Sequence, residues 1–236
     1  MKILTQGKYH SRKYTLNEKF FDKWSSSMAY ILGFWFADGY MRKERSYRVV
    51  LCSNDKHILM DIRSAMSSTN PVRRSKGDDA WHVSFHSKHL YGSLTKLGGF
   101  RRKSKTITFP RVPRKYLRDF IRGYFDGDGS VFFVEYIRTK DGRPARELRT
   151  NFTSGSRKFL EELMFILKKE INLPLKALGV FNNGASLKLG YGMKDSDELL
   201  RYMYYPGFPI GLERKAIFLS RIPDYQIHKS HNSKQH

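Results

Sequence analysis

The sequence predicts an α+β fold built from two pseudo-symmetric halves, each running helix–strand–strand–helix–strand–strand–helix. Three observations carry this. A nine-residue segment occurs twice, as Ile31-Leu-Gly-Phe-Trp-Phe-Ala-Asp-Gly39 and Ile121-Arg-Gly-Tyr-Phe-Asp-Gly-Asp-Gly129, with the two starts 90 residues apart. Each copy is followed by the same succession of strand-like and helix-like stretches. The strand-like stretches alternate apolar and polar residues, the period of a half-buried sheet. A repeat this long points to a duplicated domain rather than a solenoid.

The elements follow in order. After Asp38-Gly39, the stretches 40–44 and 47–53 read as strands and 55–67 as a helix. Strands are expected at 71–76 and 81–86, then a helix over 88–97 ended by Gly98-Gly99. In the second half, 131–138 and 147–153 read as strands joined by a loop with Asp141-Gly142. A helix over 156–171 takes its apolar positions from Leu160, Leu163, Phe165, Leu167 and Ile171. A hairpin follows, 175–181 and 186–191 around Asn183-Gly184, and a helix over 193–205 closes the half. These elements divide the chain into an amino-terminal extension (1–27), a first half (28–99), a basic linker (100–113), a second half (114–225) and a frayed polar tail (226–236).

Read as helices, the repeated segments place small residues four apart: Gly33 with Ala37, and Gly123 with Gly127. Such a pair lies on one face and lets another helix backbone come close. Glycine inside a helix costs about 1 kcal/mol relative to alanine, so two matched pairs need a packing reason. Helices packed in parallel through these faces bring their carboxyl ends together. Each end reads Asp-Gly, as Asp38-Gly39 and Asp128-Gly129, with the glycine expected in the left-handed position past the helix. Aspartate is disfavoured at a helix carboxyl end, where the peptide dipoles leave partial negative charge. A divalent cation would remove the conflict, and magnesium suits one or two carboxylates completed by water and phosphate. That arrangement hydrolyses phosphodiesters. Asp126 falls opposite Phe36 in the repeat, so only Asp38 and Asp128 are matched and are the candidate catalytic acids. Asp126 is expected to be a cap or a supporting residue.

Composition narrows the partner. Lys and Arg number 44 against 22 Asp and Glu, a net charge of +22, which calls for a polyanion. Basic residues spread along the chain fit nucleic acid better than a membrane surface. Hydrophobic residues at 40%, with 17 Phe and 14 Tyr, exclude a disordered basic tail. The one cysteine, Cys52, excludes an intrachain disulfide and a cysteine zinc cluster. The opening residues lack a secretory apolar core and no run is long enough to span a bilayer, so an intracellular setting is expected, bacterial cytoplasm or organelle.

The repeated segments resemble the two signature motifs of the LAGLIDADG homing endonucleases. The resemblance extends to the order of strands and helices in both halves. Leu32, Phe36, Arg122 and Tyr124 depart from the family's letters, while the last acid and its glycine are intact in both copies. The resemblance implies a pseudo-dimer in one chain, with the signature helices as its central interface and antiparallel ribbons forming a saddle over DNA. It implies that Asp38 and Asp128 bind Mg2+, or Mn2+ or Ca2+ at the same sites, with the Gly39 and Gly129 backbones as further ligands. It also implies a basic residue near each scissile phosphate. Lys103 and Lys215 fit best by alignment, with Arg102 and Arg214 as close rivals. The implied activity is a metal-dependent double-strand break at a long asymmetric site, by a monomer needing no protein partner. The rival readings are a non-cutting splicing maturase or DNA-binding regulator of the same fold, and a plain basic RNA-binding protein.

The polar faces of the strands supply candidate base-reading residues. In the first half these are Arg42, Glu44, Arg48, Arg73, Arg74, His82, Ser84 and His86. In the second they are Ser130, Arg138, Arg149, Asn151, Thr153, Lys176, Asn182, Ser186 and Lys188. Such side chains match major-groove edges, and β-ribbons fit that groove. A ribbon of about nine residues spans about 30 Å. Two ribbons would cover on the order of 20 base pairs of double-stranded DNA at about 3.4 Å per step.

Overall fold

The computed structural model describes residues 13–43, 46–75, 77, 79–100 and 105–221. Its elements are α1 (Ser26–Asp38), β1 (Gly39–Lys43), β2 (Tyr47–Ser53), α2 (Lys56–Ala65), β3 (Val72–Arg74), β4 (Trp81–His86) and α3 (Lys88–Lys96), then α4 (Leu117–Asp128), β5 (Gly129–Ile137), β6 (Pro144–Ser154), α5 (Arg157–Ile171), β7 (Gly179–Phe181), β8 (Ser186–Tyr191), α6 (Met193–Met203) and α7 (Glu213–Ala216). Two four-stranded antiparallel sheets result, ordered β1-β2-β4-β3 and β5-β6-β8-β7, so the two halves share one topology. No described helix is long and apolar enough to cross a membrane.

Local chemistry sets the helix starts. Ser25, Asp55, Ser87 and Ser156 each accept a backbone N–H of the first turn of α1, α2, α3 and α5. α5 ends at Asn172 in the left-handed conformation, φ 54°. The strand expected over 175–181 is reduced to Gly179–Phe181. Residues 172–178, which include left-handed Asn172 and Pro174, form no ladder before it.

The core is centred on α1, whose residues Met28 to Phe36 are all buried. A helix buried on every side is one enclosed by the protein. α1 and α4 pack in parallel and touch through main chain. A Cβ on Gly33 would lie 2.0 Å from the Phe120 carbonyl oxygen, and one on Gly123 would lie 2.0 Å from that of Tyr30. Each contact is the other displaced by the repeat, which is two-fold symmetry within one chain. One turn on, a Cβ on Gly127 would lie 2.4 Å from that of Ala37. The symmetry stops at the side chains. Phe36 packs in an aromatic cluster with Phe120 and Phe159. Arg122, at the position of Leu32, is fully buried. It bonds Asp119 at 2.8 Å and the Met203 and Ile210 carbonyls at 2.9 Å each, as a buried charge requires.

Candidate active site and nucleic-acid interface

α1 and α4 end side by side at Asp38 and Asp128, both half-buried. Asp38 Oδ2 would lie 3.0 Å from a Cβ on Gly127, so the first carboxylate leans over the last turn of the second helix. Tyr124 and Lys215 both feel the charges of Asp38 and Asp128. Burial first, and then Asp128, push the Tyr124 phenol well above its ordinary range. The glycines after these aspartates are not left-handed as expected. Gly39 (φ −101°, ψ 158°) and Gly129 (φ −99°, ψ 164°) are extended. Glycine is required there for space: a Cβ would lie 2.1 Å from the Trp35 ring or 2.3 Å from the Phe125 ring.

Lys215, in α7, corrects the expectation of an ammonium free to face a phosphate. It is buried, and its Nζ donates to the Phe125 carbonyl, to that of Asp126 at 3.0 Å and to that of Gly129 at 2.7 Å. Three protons are thereby directed at the carboxyl end of α4. A cation there offsets the helix dipole, relieving at this end part of the conflict that the sequence assigned to a metal. Burial brings the lysine down to about 8, against the opposing pull of Asp126. The ammonium also takes one of the two lone pairs of the Gly129 carbonyl. Arg214, its neighbour, is exposed. Lys103 and Arg102 lie outside the described residues.

Asp126 is not a cap. Its buried carboxylate accepts Tyr30 Oη at 2.8 Å, the Leu212 amide at 2.9 Å and Tyr204 Oη. Burial pushes its carboxyl up, while Lys215 and the three donors hold it down.

Register sorts the strand residues by face. In the first sheet Arg42 pairs with Arg48, Arg48 with His86, and Arg73 with His82. These share the face of Ser84, whose Oγ accepts Arg48 Nη2 at 2.8 Å. With Tyr14 and Asn70, this face lines a shallow depression of about 260 Å³. Arg74 sits instead opposite Trp81, on the other face, and pairs with Asp79. Neighbours on one strand point to opposite sides, so Arg73 and Arg74 cannot both serve one face. In the second sheet Ser130 pairs with Asn151 and Thr153 with Lys188, placing Arg149 and Ser186 on the same face. Arg149 is held by Glu147 at 3.1 Å. Arg138 lies in the hairpin turn, paired with Asp141 at 3.0 Å. Lys176 precedes β7, outside any strand, with Nζ 3.8 Å from Asp195. Glu44 lies outside the described residues, and so does the side chain of Asn182.

With this geometry established, the second half matches the family model of the LAGLIDADG-like domain over residues 115–174, from just before α4 to the turn after α5. That match takes in 60 of the 236 residues. The LAGLIDADG fold extends over both halves. The I-LtrWI LAGLIDADG homing endonuclease bound to target DNA superposes with a TM-score of 0.59 at 13% identity, covering 92% of this chain and 94% of that one. I-SmaMI bound to an uncleaved DNA target in the presence of calcium ions gives 0.60 at 11%, covering 90% and 95%. In sequence, a probable translation initiation factor IF-2 of Thermococcus kodakarensis is 28% identical over 146 residues, 58% of this chain and 11% of that protein. The uncharacterized protein MJ0398 of Methanocaldococcus jannaschii is 32% identical over 116 residues, 45% of this chain and 40% of its own. The chain thus spans well under half the length of these relatives.

The alternation that marked the second sheet also placed residues that residue type alone passed over. Phe132, Val134 and Tyr136 share the face of Ser130, and following the period two from Ser130 finds them.

Proposed function

We propose that this chain is a divalent-metal-dependent DNA endonuclease that cuts both strands at a long asymmetric site. The observation that carries the reading is the meeting of Asp38 and Asp128 on two-fold-related helix ends, between two sheets whose shared faces hold arginine, lysine and histidine. The donor set fits magnesium. Among the described residues no cluster of three or more His, Cys, Asp or Glu forms a closed cage. Two hard carboxylates leave the remaining positions to water and phosphate, as magnesium prefers.

Asp38 and Asp128 are the metal-binding acids in this reading, with the Gly39 carbonyl as a further donor. A bound divalent ion would polarise the scissile phosphate and lower the pKa of a bound water. The protein's own part is placement. The glycine contacts fix the distance between the helix ends, and Lys215 holds the last turn of α4. Among the described residues, exposed Arg214 is a cation able to meet a phosphate. Arg42, Arg48, Arg73, His82, Ser84 and His86 face one half-site. Ser130, Arg149, Asn151, Thr153, Ser186 and Lys188 face the other. The division of the chain proposed from the sequence assigns one sheet to each half-site, so one chain suffices and the enzyme is a monomer. The relatives support a portable module: an initiation factor and a DNA polymerase of Thermococcus share with this chain only 11% and 7% of their lengths.

The deciding experiment is a cleavage selection on a randomised double-stranded DNA library, with and without magnesium. The reading expects magnesium-dependent double-strand breaks at one family of related sites of about 20 base pairs. Specific binding with no cleavage in any divalent metal would point to a non-cutting relative. Indiscriminate RNA binding would overturn both.

A further inference from the structure

The repeat aligns Arg42 of β1 with Phe132 of β5, each three residues after its Asp-Gly glycine. The substitution is not isolated. On β5, Val131 and Phe133 pair with buried Thr150 and Leu148 and so face the core. The alternate residues Ser130, Phe132, Val134 and Tyr136 face the other way, opposite Asn151, Arg149, Glu147 and Ala145. Phe132 is 38% exposed and Tyr136 46%. An apolar row therefore runs along a face that also carries Arg149 and, through the Thr153 pair, Lys188. β5 is moreover at the sheet edge.

Single exposed apolar residues need no account. Exposed Phe132 and Tyr136 with half-buried Val134 between them, on one face of an edge strand, are a self-association liability unless something covers them. The surrounding charge selects the occupant. Arg149 beside the row is paired with Glu147 on the same face, so the net charge of +22 is what favours a polyanion over another copy of this basic chain. Within the major groove the apolar group offered to a protein is the thymine C5 methyl.

We propose that Phe132, Val134 and Tyr136 read thymine methyl groups in the half-site under the second sheet, making them specificity-determining residues. The inference rests on the DNA-cutting reading above and adds to it the base preference of one half. Alternate residues on a strand are about 6.8 Å apart. Base pairs rise about 3.4 Å, so the methyls fall about two steps apart. The corresponding face of the first sheet, with Arg42, Arg48 and His86, reads by hydrogen bonds instead.

The test uses the selected target with thymines replaced one at a time by deoxyuridine, which removes the methyl and keeps the pairing edge. Equilibrium affinity of the full chain is measured for each. Loss of one contacted methyl is expected to weaken binding roughly fourfold, from the burial of one CH2-sized group. Sensitive positions should fall under the second half, about two steps apart, and first-half thymines should be indifferent. Phe132→Ser and Tyr136→Ser should each abolish the thymine–uracil distinction at one position while retaining binding, and Phe132→Leu should keep it. Circular dichroism of each variant checks that the fold is intact. Tight, specific binding that is equally strong on thymine and uracil overturns this proposal and leaves the DNA-cutting reading standing. Absence of any selected target overturns the latter. A stable dimer lost in Phe132→Ser would assign the row to self-association and overturn the proposal.

Discussion

Tyr30 and Asp126 join the two halves of the molecule: the phenol of the first central helix donates to the carboxylate of the second over 2.8 Å. The pair is buried, and the same carboxylate takes Tyr204 and the Leu212 amide from the segment between α6 and α7. Tyr30→Phe removes one of three donors without changing shape. The expected loss is about 1.5–3 kcal/mol, the range for hydrogen bonds to charged groups. Melting should fall by about 2–4 °C for each kcal/mol. An unchanged melting temperature would show the bond contributes nothing net.

Asp38→Asn and Asp128→Asn should each abolish double-strand cleavage while retaining site-specific binding. Binding is assigned to the sheets and chemistry to the helix ends. Gel shift and cleavage measured on the same target separate the two, and wild-type cutting by either variant would remove that aspartate from the reaction.

Gly33→Ala should cost about 3 kcal/mol, because its methyl would lie 2.0 Å from a backbone oxygen that has no rotamer to change. Gly92→Ala is the matched control. Gly92 lies inside α3 with nothing within 4 Å of the added carbon. It should gain about 0.5–1 kcal/mol from helix propensity alone. Urea unfolding of the two variants tests both signs at once.

Lys215→Met should lower the melting temperature and also cut the single-turnover rate at saturating DNA by roughly 100-fold, the cost of misplacing a reacting group by about 1 Å from a distance. The lysine acts by holding α4, so affinity and its salt dependence should stay near wild type. A salt slope reduced by about one would instead identify a phosphate contact.

His82 and His86 sit below their ordinary range because of burial first and then the charge of Arg48, joined at His82 by Arg73. Both rings are therefore neutral near pH 7. The unfolded chain holds protons that the folded rings give up, so their contribution to stability improves as pH rises toward about 6.5 and worsens below it. DNA acts in the opposite sense, since phosphate favours the charged ring. Affinity should rise as pH falls from about 7 to about 5, the range around the free histidine value. His82→Gln with His86→Gln should flatten that slope in a fluorescence-anisotropy titration, and an equally steep slope in the double variant would exclude these rings.

The architecture was legible because it is written in local periods. Tyr47–Ser53, Trp81–His86 and Ser186–Tyr191 have the bounds that alternation and turn residues indicate. The duplication announced the paired helices. What escaped depends on distance in sequence: Asp126 meets Tyr30 and Tyr204 across 96 and 78 residues, and no spacing rule reaches that far. Lys215 shows the limit of residue type. A lysine in a basic run suggests an exposed cation, and only packing shows that its charge is turned inward onto α4. Gly39 was flagged at the right place for the wrong reason, because a nearby tryptophan ring and not backbone handedness excludes a side chain.

The contact through Gly33 and Gly123 is made by backbone, and backbone is common to every sequence. Two halves of different ancestry could therefore dock on it, so chimeric proteins joining this first half to a foreign second half are geometrically open. Hydrogen-bond chemistry restricts which grafts succeed. A donor half with an acid at the Asp126 position needs a tyrosine across from it, whereas one with phenylalanine there, like Phe36, brings no such demand.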